Sequence, residues 1–221
     1  IKGIAKPTFQ QFLMCYNRIF IFKEKAMFFI AAMDAKSQGI GKDGKLCWYD
    51  DAPEDLKFFR EKTLGKNVIV GYETYKHLPK LDKRNVMVLS NKKGSNFYTL
   101  DELCKAVEKM ETKVEEGLDS VVVCGGLKTY MMVLQEPRLY QHLTHGFVSH
   151  LNFESEKKYD TYLTDFYNLL KNRSAIQEEH ELSDGTRVES FWFKNKPQEK
   201  QNNNKIIKIN EVLVDESVNV E

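Results

Sequence analysis

No two of the four cysteines form a C-x-x-C pair. Cys15, Cys47, Cys104 and Cys124 are scattered along the chain, which argues against a zinc site or a disulfide framework. Their use fits a reduced, intracellular setting, and the expected location is cytoplasmic. Charge of either sign is in no excess. A formal net charge of +1 provides no long-range attraction for nucleic acid or for an anionic membrane. No apolar run reaches the roughly 18–20 residues needed to span a bilayer, and no internal repeat is visible. What is present is a chain of 221 residues, 42% hydrophobic and 12% aromatic. That suffices for one domain with a substantial core plus tails.

Composition divides the chain into three parts. Residues 1–26 mix Lys2, Lys6, Arg18, Lys23 and Lys25 with Phe9, Phe12, Tyr16, Ile19 and Phe20, and hold one acid, Glu24. A basic, acid-poor leader of this kind is compatible with organellar targeting. The scarcity of Ser and Ala favours an upstream extension or a segment that packs on the domain. Met27 is expected to open the folded unit, residues 27–194. Residues 195–221 are polar and low in complexity at first, and are expected to be mostly disordered.

Within 27–194, short apolar runs alternate with helical patterns. Phe28 to Met33, Asn67 to Gly71, Asn85 to Ser90 and Ser120 to Cys124 read as strands buried on both faces. Pro53 to Lys62 reads as a helix, with Pro in the first turn and acids Glu54 and Asp55 early. Thr99-Leu100-Asp101-Glu102 is a capping box that opens a helix ending near Gly117. Gly125-Gly126 breaks the fourth strand before a helix through Gln135. Gly146 to Leu151 reads as a strand. Arg173 to Glu181 and Thr186 to Lys194 flank the turn Ser183-Asp184-Gly185. The expected fold class is α/β: one domain, a mixed and mainly parallel central sheet, antiparallel C-terminal strands and flanking helices.

Two blocks carry chemistry. In Ile40-Gly41-Lys42-Asp43-Gly44-Lys45-Leu46-Cys47-Trp48, followed by Pro53-Glu54-Asp55-Leu56-Lys57-Phe58-Phe59, a carboxylate opens an apolar helix just after a Gly-bracketed loop. A carboxylate facing an apolar pocket is costly unless a ligand hydrogen-bonds to it, and a planar, hydrogen-bonding heterocycle suits it. An early-turn acid is also favoured by the helix dipole with no function at all. In the second block, Val122-Val123-Cys124-Gly125-Gly126-Leu127-Lys128-Thr129-Tyr130, paired glycines let a ligand approach a strand end. The helix after them presents free N–H groups to a phosphate. His142, His145 and His150 lack supporting ligands at metal spacing, so no metal is expected.

Together the two blocks resemble the dihydrofolate reductase family, over about residues 27–194. The resemblance implies NADPH-dependent reduction of 7,8-dihydrofolate to 5,6,7,8-tetrahydrofolate, in support of one-carbon metabolism. The partners it implies are a small-molecule substrate and NADPH, with no nucleic acid and no membrane, and monomer is the default. By resemblance Asp55 is the catalytic acid of the pterin pocket, and Trp48 and Leu46 belong to the catalytic group. Ile30, Leu56, Phe59 and Leu78 line the substrate, and Ile30 offers a backbone carbonyl. Ser149 takes the place of a Thr hydrogen-bonded to the acid, with Thr144 the competing choice. Lys83, in register with the family's Arg, takes the substrate's glutamate carboxylate, with Arg84 as the alternative. For the cofactor, Ala32, Ile40, Gly41 and Leu46 surround the nicotinamide. Tyr72, Glu73, Thr74, Leu89, Ser90 and Asn91 follow the phosphates. Cys124, Gly125, Gly126, Leu127, Lys128, Thr129 and Tyr130 form the segment over the pyrophosphate, with a cis peptide between the two glycines.

Some positions depart from the family pattern. Cys47 replaces the usual Pro before the Trp, and Tyr72 and Glu73 stand where basic residues often meet phosphates. An acid there is unfavourable to a phosphate, whereas Ser90, Lys92, Lys93 and Lys128 act in the opposite sense. Two rivals share the fold: a riboflavin-pathway pyrimidine reductase, against which Asp55 and Phe59 argue, and a non-catalytic nucleotide-binding homologue.

Overall fold

The computed structural model of the chain describes residues 27–48, 50–112, 120–153 and 157–193. The leader at 1–26, the tail at 195–221 and the helix end near Gly117 lie outside the described residues. The elements in chain order are β1 (Met27–Asp34), β2 (Gly39–Gly41), α1 (Pro53–Thr63), β3 (Asn67–Gly71), α2 (Tyr72–His77), β4 (Asn85–Leu89), β5 (Phe97–Tyr98), α3 (Leu100–Thr112), β6 (Val121–Val123), α4 (Leu127–Gln135), α5 (Pro137–Tyr140), β7 (Leu143–Leu151), β8 (Thr161–Tyr162), α6 (Thr164–Arg173), β9 (Ser174–Glu181) and β10 (Arg187–Phe193).

Eight strands form one sheet in the order β5-β4-β3-β6-β1-β7-β10-β9, and β2 pairs separately with β8. From β5 to β7 all neighbours are parallel. The last hairpin is antiparallel, as β10 pairs with both β7 and β9. This is the expected architecture. The apolar runs form strands because alternate residues are buried on opposite faces. Phe28 and Ile30 join Val122, Phe147 and the α1 side chain Phe58 on one face. Met27, Phe29, Ala31 and Met33 meet α3, α4 and α6 residues on the other. Chain connections leave β1 toward β3 but leave β6 toward β7, so the direction of winding reverses around β6 and β1. In open parallel sheets that reversal leaves a crevice at the carboxyl ends of the strands, where ligands bind.

The capping box forms as read. Thr99 N–H donates to Glu102 Oε2 (2.8 Å), and Glu102 N–H donates to Thr99 Oγ1 (3.4 Å). Helix α6 was not anticipated, although Phe166, Tyr167 and Leu170 stand at helical spacing and are all buried. The short helices α2 and α5 were also missed, and β7 begins three residues earlier than expected. Thr144 and His145 lie on that added part, one side chain bonded to the other at 2.8 Å.

Two packing arrangements fix the β1–β7–β10 register. Gly146 is the cross-strand partner of Phe29, and a Cβ on it would lie 2.0 Å from the Phe29 ring. Farther along, Glu189 of β10 is 2% exposed. Tyr167 donates its hydroxyl to Glu189 (2.6 Å) and Arg187 donates a guanidinium N–H (3.0 Å). His150 Nε2 stands 3.1 Å from the same carboxylate, off the hydrogen-bond line. Burial opposes ionisation of Glu189, but these partners outweigh it and hold the pKa down at about 2.

Two predictions follow from this packing. Gly146→Ala forces the Phe29 ring off its site and is expected to destabilise the fold by about 1–3 kcal/mol in urea unfolding. Glu189 is depressed in the folded state, so its stabilisation is present above its unfolded value and is lost as pH falls toward about 2. Glu189→Gln should lower stability at neutral pH and flatten the acid limb of a stability–pH curve.

Candidate active site

Helix α1 begins with Pro53 in its first turn, and no side chain caps it. Pro sets the helical φ there without sacrificing a needed N–H. The turn aims Asp55 inward, so that it is only 7% exposed. Burial raises its pKa to about 6; the Ser149 hydroxyl works against the rise, and the negative charge of Asp184 adds to it. Among the described residues no cation lies within ion-pair distance of Asp55. Ser149 is fully buried on β7 opposite Ala32 of β1. Its Oγ faces the carboxyl but makes no hydrogen bond of standard geometry. Thr144, the competing choice, lies at the other end of β7 and donates to Met27 O.

Around Asp55 the wall is apolar. Phe59, one turn on in α1, is half-buried beside Ile30, Phe58 and Cys124. Leu56 is also half-buried, and Leu78, just after α2, packs against the cluster of Val68, Val70 and Val88, as does Cys124. The Ile30 carbonyl accepts the Tyr130 hydroxyl at 2.7 Å and keeps a second lone pair. Tyr130 is therefore buried in the core and reaches this wall by its hydroxyl alone. Burial pushes the Cys124 thiol well up, so it stays protonated and inert.

The glycine segment is packed too closely for side chains. The Gly125–Gly126 peptide is cis, and Gly125 has φ +106°. Gly71 N–H donates to Gly125 O at 2.7 Å. A Cβ on Gly71 would stand 2.6 Å from Thr129 Oγ1, and one on Gly126 would stand 2.9 Å from Thr74 Oγ1. The ends of β3 and β6 and the start of α4 thus interlock through bare backbone. Gly126 caps α4 with no side-chain bond, so the first N–H groups of the helix stay open. Lys128 is exposed on that first turn, while Leu127 and Thr129 face inward. Leu89, Ser90 and Asn91 lie at the neighbouring end of β4. An open helix N-terminus beside a glycine cradle fits a dinucleotide pyrophosphate.

The loop after β1 closes the other side. Ala32 and Ile40 are half-buried, Gly41 is buried, and Leu46 is 49% exposed. Asp43 N–H donates to Asp160 Oδ2 at 2.7 Å, and Cys47 Sγ reaches Lys158 O at 3.5 Å. Tyr159 donates to Asp34 Oδ2 at 2.8 Å, and its ring fills the space a Cβ on Gly39 would need. Trp48 is 1% exposed between Phe153 and Tyr159, with Ala32 and Ile40 against it. Trp48, expected in the catalytic group, is thus packed into the base of the loop and helps to hold it. Tyr49 lies outside the described residues.

Lys83, expected at the substrate's glutamate carboxylate, is exposed and takes a left-handed φ of +57°. Its neighbour Arg84, the alternative, is half-buried. Its Nε donates to Thr63 Oγ1 (3.0 Å) and its other nitrogens to the Asp82 (3.1 Å) and Arg60 (3.4 Å) carbonyls. Arg84 and Leu78 also border a cleft on the outer flank of α2, with Tyr72, Tyr75 and Phe97. That cleft does not reach Asp55. Burial, then Arg60, lowers the Arg84 pKa. Sequence reasoning also missed Tyr159 and Asp160; the signal available was only their place in a polar stretch.

Among the described residues no group of three or more His, Cys, Asp or Glu side chains is placed to hold a metal ion. No helix among them is long and apolar enough to cross a membrane.

The model of the family described as dihydrofolate reductase matches residues 26–188. A dihydrofolate reductase from Buchnera aphidicola (subsp. Acyrthosiphon pisum) is 32% identical over 143 residues, 62% of this chain and 84% of that one. One from Bacillus subtilis is 26% identical over 155 residues, 68% and 85% of the two chains. A solved dihydrofolate reductase from Enterococcus faecalis, complexed with NADP(H) and RAB-propyl, aligns with a TM-score of 0.49 at 18% identity, covering 78% of this chain and 98% of that one. With a family model spanning most of the described domain, and the buried acid and the glycine cradle both in place, the chain belongs to the dihydrofolate reductase family.

Proposed function

We propose that the protein reduces 7,8-dihydrofolate to 5,6,7,8-tetrahydrofolate with NADPH. The observation that carries this reading is Asp55, a buried carboxylate in an apolar wall that has no cation partner among the described residues. Such a group invites a ligand that donates two hydrogen bonds from a flat ring, as the amino group and adjoining nitrogen of a pterin do. Its negative charge favours protonation of the ring nitrogen beside the carbon to be reduced. Phe59, Leu56 and Leu78 hold the ring system flat and exclude water, and the Ile30 carbonyl offers a further acceptor. The bound nicotinamide supplies the hydride. Gly125, Gly126, Thr74 and the open α4 N-terminus would hold its pyrophosphate, and Ala32, Ile40 and Leu46 would surround the reacting end. Arg84 takes the substrate's glutamate carboxylate, since its planar fork is already oriented by three oxygens. The free cysteines Cys47, Cys104 and Cys124 support action in a reducing compartment.

Purified protein with dihydrofolate and NADPH should consume NADPH; a folded protein that consumes neither NADPH nor NADH would overturn the reading. Asp55→Asn is expected to lower turnover by about 10²-fold or more at neutral pH while NADPH binding persists. The same variant tests the buried charge. The folded protein retains the Asp55 proton between pH 3.8 and about 6, whereas the unfolded chain releases it. Stability is therefore lost as pH rises through that window. Asp55→Asn should match the parent below pH 3.8 and exceed it above about 6, by on the order of 3 kcal/mol. Arg84→Leu should raise KM for dihydrofolate by about tenfold and leave KM for a dihydropterin without the tail unchanged. Equal effects on both substrates would remove Arg84 from the carboxylate site.

A further inference from the structure

The loop after β1 carries a stiff finger. Lys42 N–H donates to Lys45 O and Lys45 N–H donates to Lys42 O, both at 3.0 Å. Between them Asp43 (φ +51°) and Gly44 (φ +74°) are both left-handed. This is a two-residue hairpin turn in which both central residues need positive φ, and glycine suits the second place. The base is equally tight, since a Cβ on Gly41 would stand 2.7 Å from Lys45 O. One flank is tied to Asp160 through the Asp43 N–H. The tip meets the far rim. A Cβ on Gly44 would lie 3.1 Å from Cδ2 and 3.2 Å from Nε2 of His77, and 4.0 Å from Glu73 O. His77 is the last residue of α2, which follows β3, whereas the finger follows β1. In the sheet β6 lies between those two strands, and its end runs into Gly125–Gly126. The finger therefore crosses the crevice from rim to rim and rests, as bare backbone, on an imidazole ring. Gly44 and His77 are both exposed, so the core does not require the contact.

We propose that His77 is a positioning residue that seats the Lys42–Lys45 hairpin, and that this seat sets how long a dinucleotide stays in the crevice. The proposal rests on the reading that the nicotinamide end lies against Ile40 and Leu46. A stiff finger that loses its seat swings as one body about its root, where the Tyr159 ring packs on Gly39 and its hydroxyl bonds to Asp34. Ile40 and Leu46 flank the finger in the chain and move with it. The effect falls on ligand release and leaves the stability of the fold alone.

Two measurements on the full chain test this. Without ligand, tryptic cleavage after Lys42 and Lys45, read by mass spectrometry, reports opening of the finger. With NADPH bound, stopped-flow displacement gives its dissociation rate. His77→Ala should raise both by about fivefold, with the urea midpoint unaltered. His77→Phe, which restores a ring, should return both toward the parent. Gly44→Ala should also raise both. Combined with His77→Ala it should give less than the product of the single effects, because the clash at the ring is gone. A parent that binds NADPH while His77→Ala leaves its release unaltered overturns the proposal and spares the reductase reading. So does a His77→Phe protein that releases NADPH as fast as His77→Ala. A folded parent that binds no dinucleotide overturns the proposal together with the reading beneath it.

Discussion

Asp55 is ionised near neutral pH at the cost of an apolar, nearly closed environment, and its raised pKa measures that cost. A carboxylate in this position would escape to water if the helix could rotate. Pro53 fixes the first turn, Phe58 anchors the helix between Phe147 and His180, and Lys62 lies over the Phe147 ring at 4.8 Å. Opposite, Ser149 is placed by strand pairing with its hydroxyl toward the acid and, among the described residues, in no other hydrogen bond. The site is thus a strained arrangement held by ordinary packing on either side, with the remaining free energy available to a ligand that satisfies the carboxylate.

The same sheet separates two kinds of wall. On the acid's side the crevice is lined by side chains that can be exchanged for others of similar size. On the side of the glycine segment it is lined by backbone, with Gly71, Gly125 and Gly126 closed against Thr129, Tyr130 and Thr74. Between them the Ile30 carbonyl and the Tyr130 hydroxyl form a direct link. Hydride transfer needs two rings at one fixed separation, and a shared hydrogen bond between the two walls is a stiff way to set it.

Much of this was legible in the sequence. The strand runs, the Pro-x-Asp start of α1, the capping box at Thr99 and the Gly-Gly break after β6 are local patterns, each governed by nearest neighbours. What was not legible depended on direction or on distant partners. Lys83 and Arg84 are adjacent, and nothing local tells one from the other; that Arg84 bonds to Thr63 and to the Arg60 carbonyl depends on where α1 ends. Trp48 stands close before the acid in the chain, yet its packing comes from Phe153 and Tyr159, more than a hundred residues on. Ser149 and Thr144 differ by five positions, and strand register alone separates them. The Glu189 cluster joins β7, α6 and β10, and no spacing announces it.

The bare-backbone wall also bears on how such a protein can change over generations. Where three segments meet with no room for a methyl group, almost every replacement is penalised before any question of ligand arises. The opposite rim, at Tyr72, Glu73 and Lys92, is built from exposed or half-exposed side chains. Substitution there meets no such steric barrier, so the two sides of the crevice differ in how much change the fold itself permits.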